Sequence, residues 1–391
     1  MIVLLSYDYP PNDGGISRLV AELTKGLLKL GQEVKVVTVE DNGRAGPLRP
    51  EVTTAEVASR GWMRHLATLR SIQSVPSEAK LIASVWNPEG TLAWIAGRSS
   101  NLWIMAHGNE VMPYPSGLRF GLKKWLRGRV LAAAKGVICN SRYTEGLVKV
   151  ACPSARTVVI PLGVDVSRFS CSTEKASARE QFGLPERGRI VLSVSRLNSY
   201  KGHDTVLRAL ASLPAAEREE LHYVVAGKGE HLSALKALAK ELEISGQVHW
   251  LGFVGEADLP LLYRSADLFV LCTREDSRGR GVEGFGLVFL EAQAAGIPVL
   301  GTRAGGIPDA IKEGRGGWLV QPDDIEALRN KLSELASGHE KFEMQGIEAR
   351  RRAESECTWD VYVDKFCEIL ELQPGTVGAT AASNLGVLKD V

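Results

Sequence analysis

Apolar residues along this chain come in short runs, and most runs are followed by a stretch with helical spacing. Strands are predicted at residues 2–6, 33–39, 81–85, 102–106, 136–140 and 157–160, and again at 190–195, 222–226, 248–251, 268–272 and 298–301. Strand alternating with helix predicts parallel, doubly wound α/β sheets, one in each half. Residues 169–187 are polar and charged and read as the linker between the halves. Residues 327–356 predict one or two charged amphipathic helices. Residues 373–391 are small and polar with few apolar anchors, which predicts a disordered tail.

Bulk properties narrow the class. A length of 391 residues predicts two domains. Apolar residues make up 45%, and no apolar run is long enough to span a bilayer. The opening Met1-Ile2-Val3-Leu4-Leu5 lacks the basic region and cleavage site of a signal peptide and reads as a first strand. The six cysteines are scattered without a Cys-x-x-Cys pair, which predicts reduced thiols in a cytoplasmic protein and no zinc site. The net charge of +1 hides an asymmetry: residues 1–170 hold 21 Lys+Arg against 13 Asp+Glu, and the remainder 26 against 33. A basic first half and an acidic second half predict different partners. No nucleic-acid-binding pattern is present, so no nucleic-acid partner is expected.

The chemistry concentrates around Glu283-Gly284-Phe285-Gly286-Leu287 and Glu291. The segment predicts a helix opening directly after a loop. A helix start offers unpaired N–H groups and the positive end of the macrodipole, which attract phosphate. Glycines there let an anion approach the main chain. Eight residues separate the two glutamates, which would set them about 80° apart on one helix end. One carboxylate could then meet a sugar ring and the other a ribose, an arrangement that suits a nucleotide-sugar. The competing reading is an ordinary amphipathic helix with an acidic first turn. A second glycine turn, Gly305-Gly306, follows the next predicted strand, where open α/β sheets bind ligands.

Other positions add to this. Gly14-Gly15 lies between the first strand and a helix and suits backbone contact with phosphate or sugar; the alternative is a tight turn. Arg196 and Lys201 flank the turn after strand 190–195 and suit a diphosphate, the alternative being a solvated basic loop. His107 directly follows strand 102–106 and could donate to a hydroxyl or serve structurally. No Asp-x-Asp pair occurs, so cations and helix dipoles are expected to neutralise the leaving group in place of a metal. Residues 119–135 hold six Lys/Arg and no acid, interleaved with Trp125 and other apolar side chains. They read either as a helix docking on an anionic membrane surface or as a basic outer face.

Taken in order, these segments resemble the retaining glycosyltransferases of family 4, whose signature is E-x7-E. Residues 283–291 match it, and Gly14-Gly15, His107-Gly108, residues 160–165, Arg196, Lys201, residues 227–229 and 252–254, and Gly305-Gly306 fall in the family's order. The resemblance covers about residues 1–370. It implies the GT-B fold, two Rossmann-like domains facing across a cleft. The domains would be 1–170 for the acceptor and 188–356 for the nucleotide-sugar, with 357–372 a helix crossing back to the first. It implies that Arg196 and Lys201 hold the diphosphate, Glu291 the ribose, and Glu283 the donor sugar, with the backbone of Phe285, Gly286 and Leu287. It places the base near Gly252, Phe253 and Val254 and His107 at the transferring sugar. It implies retention without a metal. The loop 273–282 is similar to that of mannosyltransferases acting on phosphatidylinositol mannosides, which points to GDP-mannose over a UDP-hexose. A saccharide or lipid-linked acceptor is expected, taken at the inner face of the plasma membrane in bacterial glycolipid or polysaccharide synthesis. The alternatives are a hydrolysing UDP-GlcNAc 2-epimerase, which shares the fold, and a non-catalytic nucleotide-sugar-binding protein.

Overall fold

The structure is a computed structural model that describes residues 1–12, 14–39, 53–57, 61–115, 117, 120–276, 281–338 and 340–372. Asp13, Arg119, the middle of loop 273–282 and the expected tail 373–391 lie outside the described residues. The strands are β1 (Ile2–Leu5), β2 (Val34–Val39), β3 (Thr53–Val57), β4 (Lys80–Ala83), β5 (Leu102–Ala106), β6 (Gly136–Cys139) and β7 (Thr157–Val159). They continue with β8 (Arg189–Val194), β9 (Leu221–Ala226), β10 (Val248–Gly252), β11 (Leu268–Leu271), β12 (Val299–Thr302) and β13 (Gly317–Val320). The first sheet runs β3-β2-β1-β4-β5-β6-β7 and the second β10-β9-β8-β11-β12-β13. The registered strand pairs are parallel. The fold is therefore doubly wound α/β with two Rossmann-like sheets, as the alternation of runs predicts.

The expected strands are present. Two were missed: β3, read from Thr-Thr-Ala-Glu-Val, and β13, read from Gly-Trp-Leu-Val. Both are edge strands, and β13 is largely half-buried, so neither carries the continuous apolar run of a central strand. By contrast β11, Leu-Phe-Val-Leu, is buried throughout. Its Leu268 and Val270 share a core with Val191 and Val225 of the neighbouring strands, Leu207 and Leu210 of helix His203–Ala211, and Leu332 and Leu335 of helix Ile325–Ser337.

Residues group into two compact units. One comprises Met1–Ile104, Ala133–Lys135 and the chain from Val363; the other comprises Met105–Ala132 and Gly136–Tyr362. The second unit therefore takes in the end of β5, followed by His107, and all of β6, followed by Asn140. The contact is local: the His107 carbonyl lies against Gly284, and Ser141 Oγ donates to the Gly284 carbonyl.

The segment expected as a linker is folded. It contains helix Lys175–Gln181, and Arg179 on it is buried. Asp267, also buried, accepts from Lys175 Nζ at 2.8 Å, from Arg179 Nη2 at 2.7 Å and from the Ile190 N–H at 2.6 Å. Burial pushes the Asp267 carboxyl up, but Lys175, the Ile190 N–H and Arg179 outweigh it and hold it below the usual carboxylate range. A depressed carboxyl stabilises the fold at neutral pH and loses that contribution as pH falls through its folded value. Asp267→Asn is expected to cost roughly 3–5 kcal/mol, because Arg179 is left buried without its counter-charge. Chemical denaturation at pH 7 measures this, and the difference from wild type should shrink toward pH 3.

Candidate active site

The site begins with a crossing of three main-chain segments in the second unit. Loop 283–286 passes against the end of β5. A Cβ built on Gly284 would lie 1.8 Å from the His107 carbonyl oxygen, so only glycine fits. On the other side, the Gly306 N–H donates to the Glu283 carbonyl at 2.8 Å, and a Cβ on Gly306 would lie 1.9 Å from the Gly284 carbonyl. Side chains complete the crossing. Ser141 Oγ donates to the Gly284 carbonyl at 2.7 Å, and Asn140 Nδ2 donates to the His107 carbonyl at 3.2 Å. The His107 N–H donates to Glu110 Oε1 at 2.6 Å, and the Arg142 N–H to Asp309 Oδ2 at 2.9 Å.

Helix Leu287–Ala294 starts four residues after Glu283. The expected placement of both glutamates on one helix end is therefore corrected: Glu283 sits in the loop, and only Glu291 is helical. The cause is Gly286, whose φ of 97° stops the helix from extending backward. Among the described residues no side chain caps the helix, and Leu287 is half-buried while Phe285 is buried. Glu291 is buried and accepts from Tyr263 Oη at 2.8 Å.

Glu283 instead meets Lys201. Lys201 Nζ lies 2.6 Å from Glu283 Oε2, with the two side chains 11% and 17% exposed. Lys201 ends a short 3-10 turn after β8, and Arg196, at the start of that loop, is exposed. The loop is held from below by a hydrogen-bonded chain. Ser193 Oγ donates to the Val270 carbonyl, Tyr223 Oη lies 3.0 Å from Ser193 Oγ, His203 Nδ1 lies 2.8 Å from Tyr223 Oη, and Ser195 Oγ lies 2.9 Å from His203 Nε2. Because Ser193 gives its only hydrogen away, Tyr223 must donate to it and His203 Nδ1–H to Tyr223, which leaves Nε2 of the neutral ring as an acceptor facing Ser195 Oγ, whose one hydrogen also reaches the Arg196 carbonyl at 3.1 Å. Burial, with Lys201 and His231 nearby, pushes His203 down to about 3, so it stays neutral.

The structure thus brings Lys201, Glu283 and the main chain of His107 together. Gly252 and Val254 are half-buried, and Phe253 is exposed with Lys228 Nζ 5.7 Å from its ring centroid. Gly14 and Gly15 belong to the first unit and are exposed; Gly14 is extended, and a Cβ on Gly15 would meet nothing within 4 Å. A positive-φ turn is not what requires glycine there. Ser141, Asn140, Glu110 and Asp309 were missed by sequence reading. The available signal was Ser141, an N-cap serine directly after β6 whose side chain accepts from the Thr144 N–H. A cavity of about 460 Å³ lies beside the Gly305 turn, lined by Tyr143, Arg274, Glu275, Arg303 and Asp323 among others.

The family described as Glycosyltransferase Family 4 matches residues 13–168, and Glycosyl transferases group 1 matches residues 174–352. The chain is 35% identical over 403 residues to a D-inositol 3-phosphate glycosyltransferase of Streptomyces scabiei, covering 91% of this chain and 86% of that protein. It is 29% identical to a GDP-mannose-dependent alpha-(1-6)-phosphatidylinositol monomannoside mannosyltransferase of Mycolicibacterium smegmatis, covering 94% and 98%. In fold it is similar to the crystal structure of Anabaena HepE in complex with UDP, with a TM-score of 0.77, 21% identity, and coverage of 95% and 100%.

Gly284→Ala is expected to break the crossing, because its methyl group would overlap the His107 carbonyl. Activity should fall at least about a hundredfold, the scale for displacing a positioned group by around an ångström. Steady-state kinetics of the variant, with circular dichroism to confirm folding, measures this.

Proposed function

We propose a donor, an acceptor and roles for individual residues in this chain, which belongs to glycosyltransferase family 4 and is a hexosyltransferase of the GT-B fold. The donor is GDP-mannose and the acceptor an inositol-bearing glycolipid or its headgroup. Supporting this, one similar protein is named for GDP-mannose and phosphatidylinositol mannoside and another for inositol 3-phosphate. The reaction retains the anomeric configuration.

The carrying observation is the Lys201–Glu283 pair, pinned beside the uncapped start of helix Leu287–Ala294. An ammonium has three donors and Glu283 takes one, so Lys201 can also reach a diphosphate oxygen. Arg196, exposed on the same loop, chelates the other phosphate. With the helix N–H groups they offset the leaving-group charge, which is the work a metal would do in enzymes with an Asp-x-Asp pair. Glu283 accepts a hydroxyl of the donor sugar, its position fixed by Lys201 and by the Gly306 N–H on its carbonyl. Glu291 receives the ribose, with Tyr263 fixing its carboxylate. The base lies at Gly252–Val254 and His107 faces the transferring sugar.

Incubation with radiolabelled GDP-mannose, UDP-glucose and UDP-GlcNAc tests the reading. Transfer or slow hydrolysis of GDP-mannose, unaffected by EDTA, is expected. Isomerised sugar would mean an epimerase, and binding alone a non-catalytic protein. Lys201→Ala should cost roughly 2–4 kcal/mol in kcat/KM, the range for one preorganised donor. Full activity in that variant would overturn the diphosphate assignment.

Membrane docking uses helix Gly121–Ala133. Among the described residues no helix is long and apolar enough to cross a membrane. Leu122 and Trp125 are 72% and 53% exposed, beside exposed Lys123, Lys124 and Arg129. Arg127, counted among the basic face from sequence, is buried and donates to the Met112 carbonyl at 2.8 Å, so it is no part of that face. Each exposed cation near an anionic surface contributes about 1 kcal/mol, enough for reversible docking. Flotation should show binding to anionic but not neutral liposomes, weakened by salt and lost when Lys123, Lys124 and Arg129 become Ser. Indifference to anionic liposomes at low salt would make a soluble acceptor the better reading.

A further inference from the structure

The chain that leaves β11 presses against the loop that carries Lys201. A Cβ on Gly202, whose φ is 72°, would lie 1.8 Å from the Cys272 carbonyl oxygen, so the two backbones touch there. Two residues on, the Arg274 N–H donates to the Tyr200 carbonyl at 2.8 Å. The Arg274 side chain then bonds both flanks of Lys201. Its Nη2 donates to the Ser199 carbonyl at 3.0 Å and to Asp204 Oδ1 and Oδ2 at 2.8 and 2.9 Å. Its Nη1 donates to Asp323 Oδ1 at 2.5 Å and to Thr205 Oγ1 at 3.3 Å, and Thr205 Oγ1 donates to the same Asp323 oxygen at 3.1 Å. Ser199 and Tyr200 precede Lys201 in its turn, and Asp204 and Thr205 lie in the first turn of the helix that follows it. Asp323 comes from beyond β13 and holds φ at 60°, a conformation that few residues other than glycine take.

This fastening is more than a surface ion pair. The Arg274 and Asp204 side chains are only 24% and 25% exposed. Burial pulls the Arg274 guanidinium down, but its bonds to Asp204 and Asp323 outweigh that and hold it above its ordinary value. A planar fork suits the task, because it meets acceptors on two sides at once, which a lysine's point charge does not. Lys201 has the opposite need. Its ammonium sits on a long flexible stem and must stay beside Glu283, so the backbone beneath it has to be fixed. Asp204 stands three residues from Lys201, and an unpaired carboxylate there would compete with a diphosphate for the ammonium.

We infer that Arg274 is a positioning residue for sugar transfer: it fixes residues 199–205 and so sets the Lys201 ammonium at the diphosphate, without touching the donor itself. This rests on the transferase reading and adds to it the side chain through which the exit of β11 acts on the leaving group. The chain through Ser193, Tyr223 and His203 holds the end of β8, whereas Arg274 holds the turn that presents the ammonium.

The test compares full-length wild type, Arg274→Ala, Lys201→Ala and the double variant. Hydrolysis and transfer of GDP-mannose are followed by steady-state kinetics, affinities for GDP and UDP by calorimetry, and folding by thermal melting. Arg274→Ala should lower kcat/KM about a hundredfold, the scale for displacing a positioned group by around an ångström. In the Lys201→Ala background the same change should cost at least about tenfold less, because no ammonium is left to place. An arginine that merely supports the fold would cost the same in both backgrounds. Arg274→Lys keeps the charge and loses the fork, so it should show the same pattern, and it takes the place of Arg274→Ala if that variant does not fold. Full activity in Arg274→Ala overturns the inference, as does a loss in the Lys201→Ala background within about tenfold of that in wild type. If wild type neither transfers nor hydrolyses the donor, the transferase reading fails. The affinities of the four proteins for the tighter of GDP and UDP then decide the inference by the same comparison, and no binding of either nucleotide to wild type overturns both.

Discussion

The second unit depends on one constraint: at Gly284 three main-chain segments approach more closely than any side chain allows. The His107 carbonyl, the Gly284 backbone and the Gly305-Gly306 turn stack with no room for a methyl group between them. Each carbonyl so buried finds a donor, from Gly306, Ser141 or Asn140. The crossing therefore costs little in lost hydrogen bonds while fixing Glu283 within fractions of an ångström. Only a fixed Glu283 lets Lys201 meet it at 2.6 Å. The pair is mostly buried, and a buried pair is weak evidence of stability, since desolvation offsets much of the attraction. Its value is placement: a carboxylate and an ammonium held side by side without a side-chain cap on the adjoining helix.

Much of the fold was legible because central parallel strands are buried on both faces and must be apolar throughout. β11 could scarcely be read otherwise. β3 and β13 escaped because an edge strand is relieved of that demand. The site was legible in parts for a related reason. Gly284, Gly286, Gly305 and Gly306 show in the sequence as a glycine pattern, and a pattern survives without knowledge of what presses on it. Which glycine does what is a tertiary fact. Gly286 carries the positive φ and cuts the helix short, whereas Gly284 admits a carbonyl. Ser141 lies 143 positions from the carbonyl it serves, a separation no periodicity reveals. Arg127 misled for the converse reason: on a basic helix, composition does not say which cation turns inward.

The support beneath the site is built from groups whose charge is settled by their surroundings. Asp267 keeps its charge because Lys175 and Arg179 converge on it, tying a helix of the supposed linker to the start of β8 and the entry to β11. His203 loses its charge because it is buried beside Lys201 and His231, and the chain from its Nδ1–H through Tyr223 and Ser193 to the Val270 carbonyl sets its tautomer. Both devices hold the ends of β8, the strand whose loop carries Arg196 and Lys201. A neutral imidazole suits this place better than a cation would, since a fixed positive charge below Lys201 would repel the ammonium. The loop can thus collect cations on its upper side alone, where an anion can reach them.

Two glutamates show how the same side chain is put to different ends. Glu283 has an ammonium at contact distance and a partly open surface, so it is held in one orientation. Glu89 is buried and accepts from the Tyr7 N–H on Oε1, and burial pushes its carboxyl up to about 7. An ion-paired carboxylate is held in place by its partner's charge. A buried, weakly solvated carboxyl is costly to ionise, and a partner that brings a hydroxyl to it lowers that cost. Glu89 thus differs from Glu283 in what holds it: a buried main-chain contact in place of an ion pair.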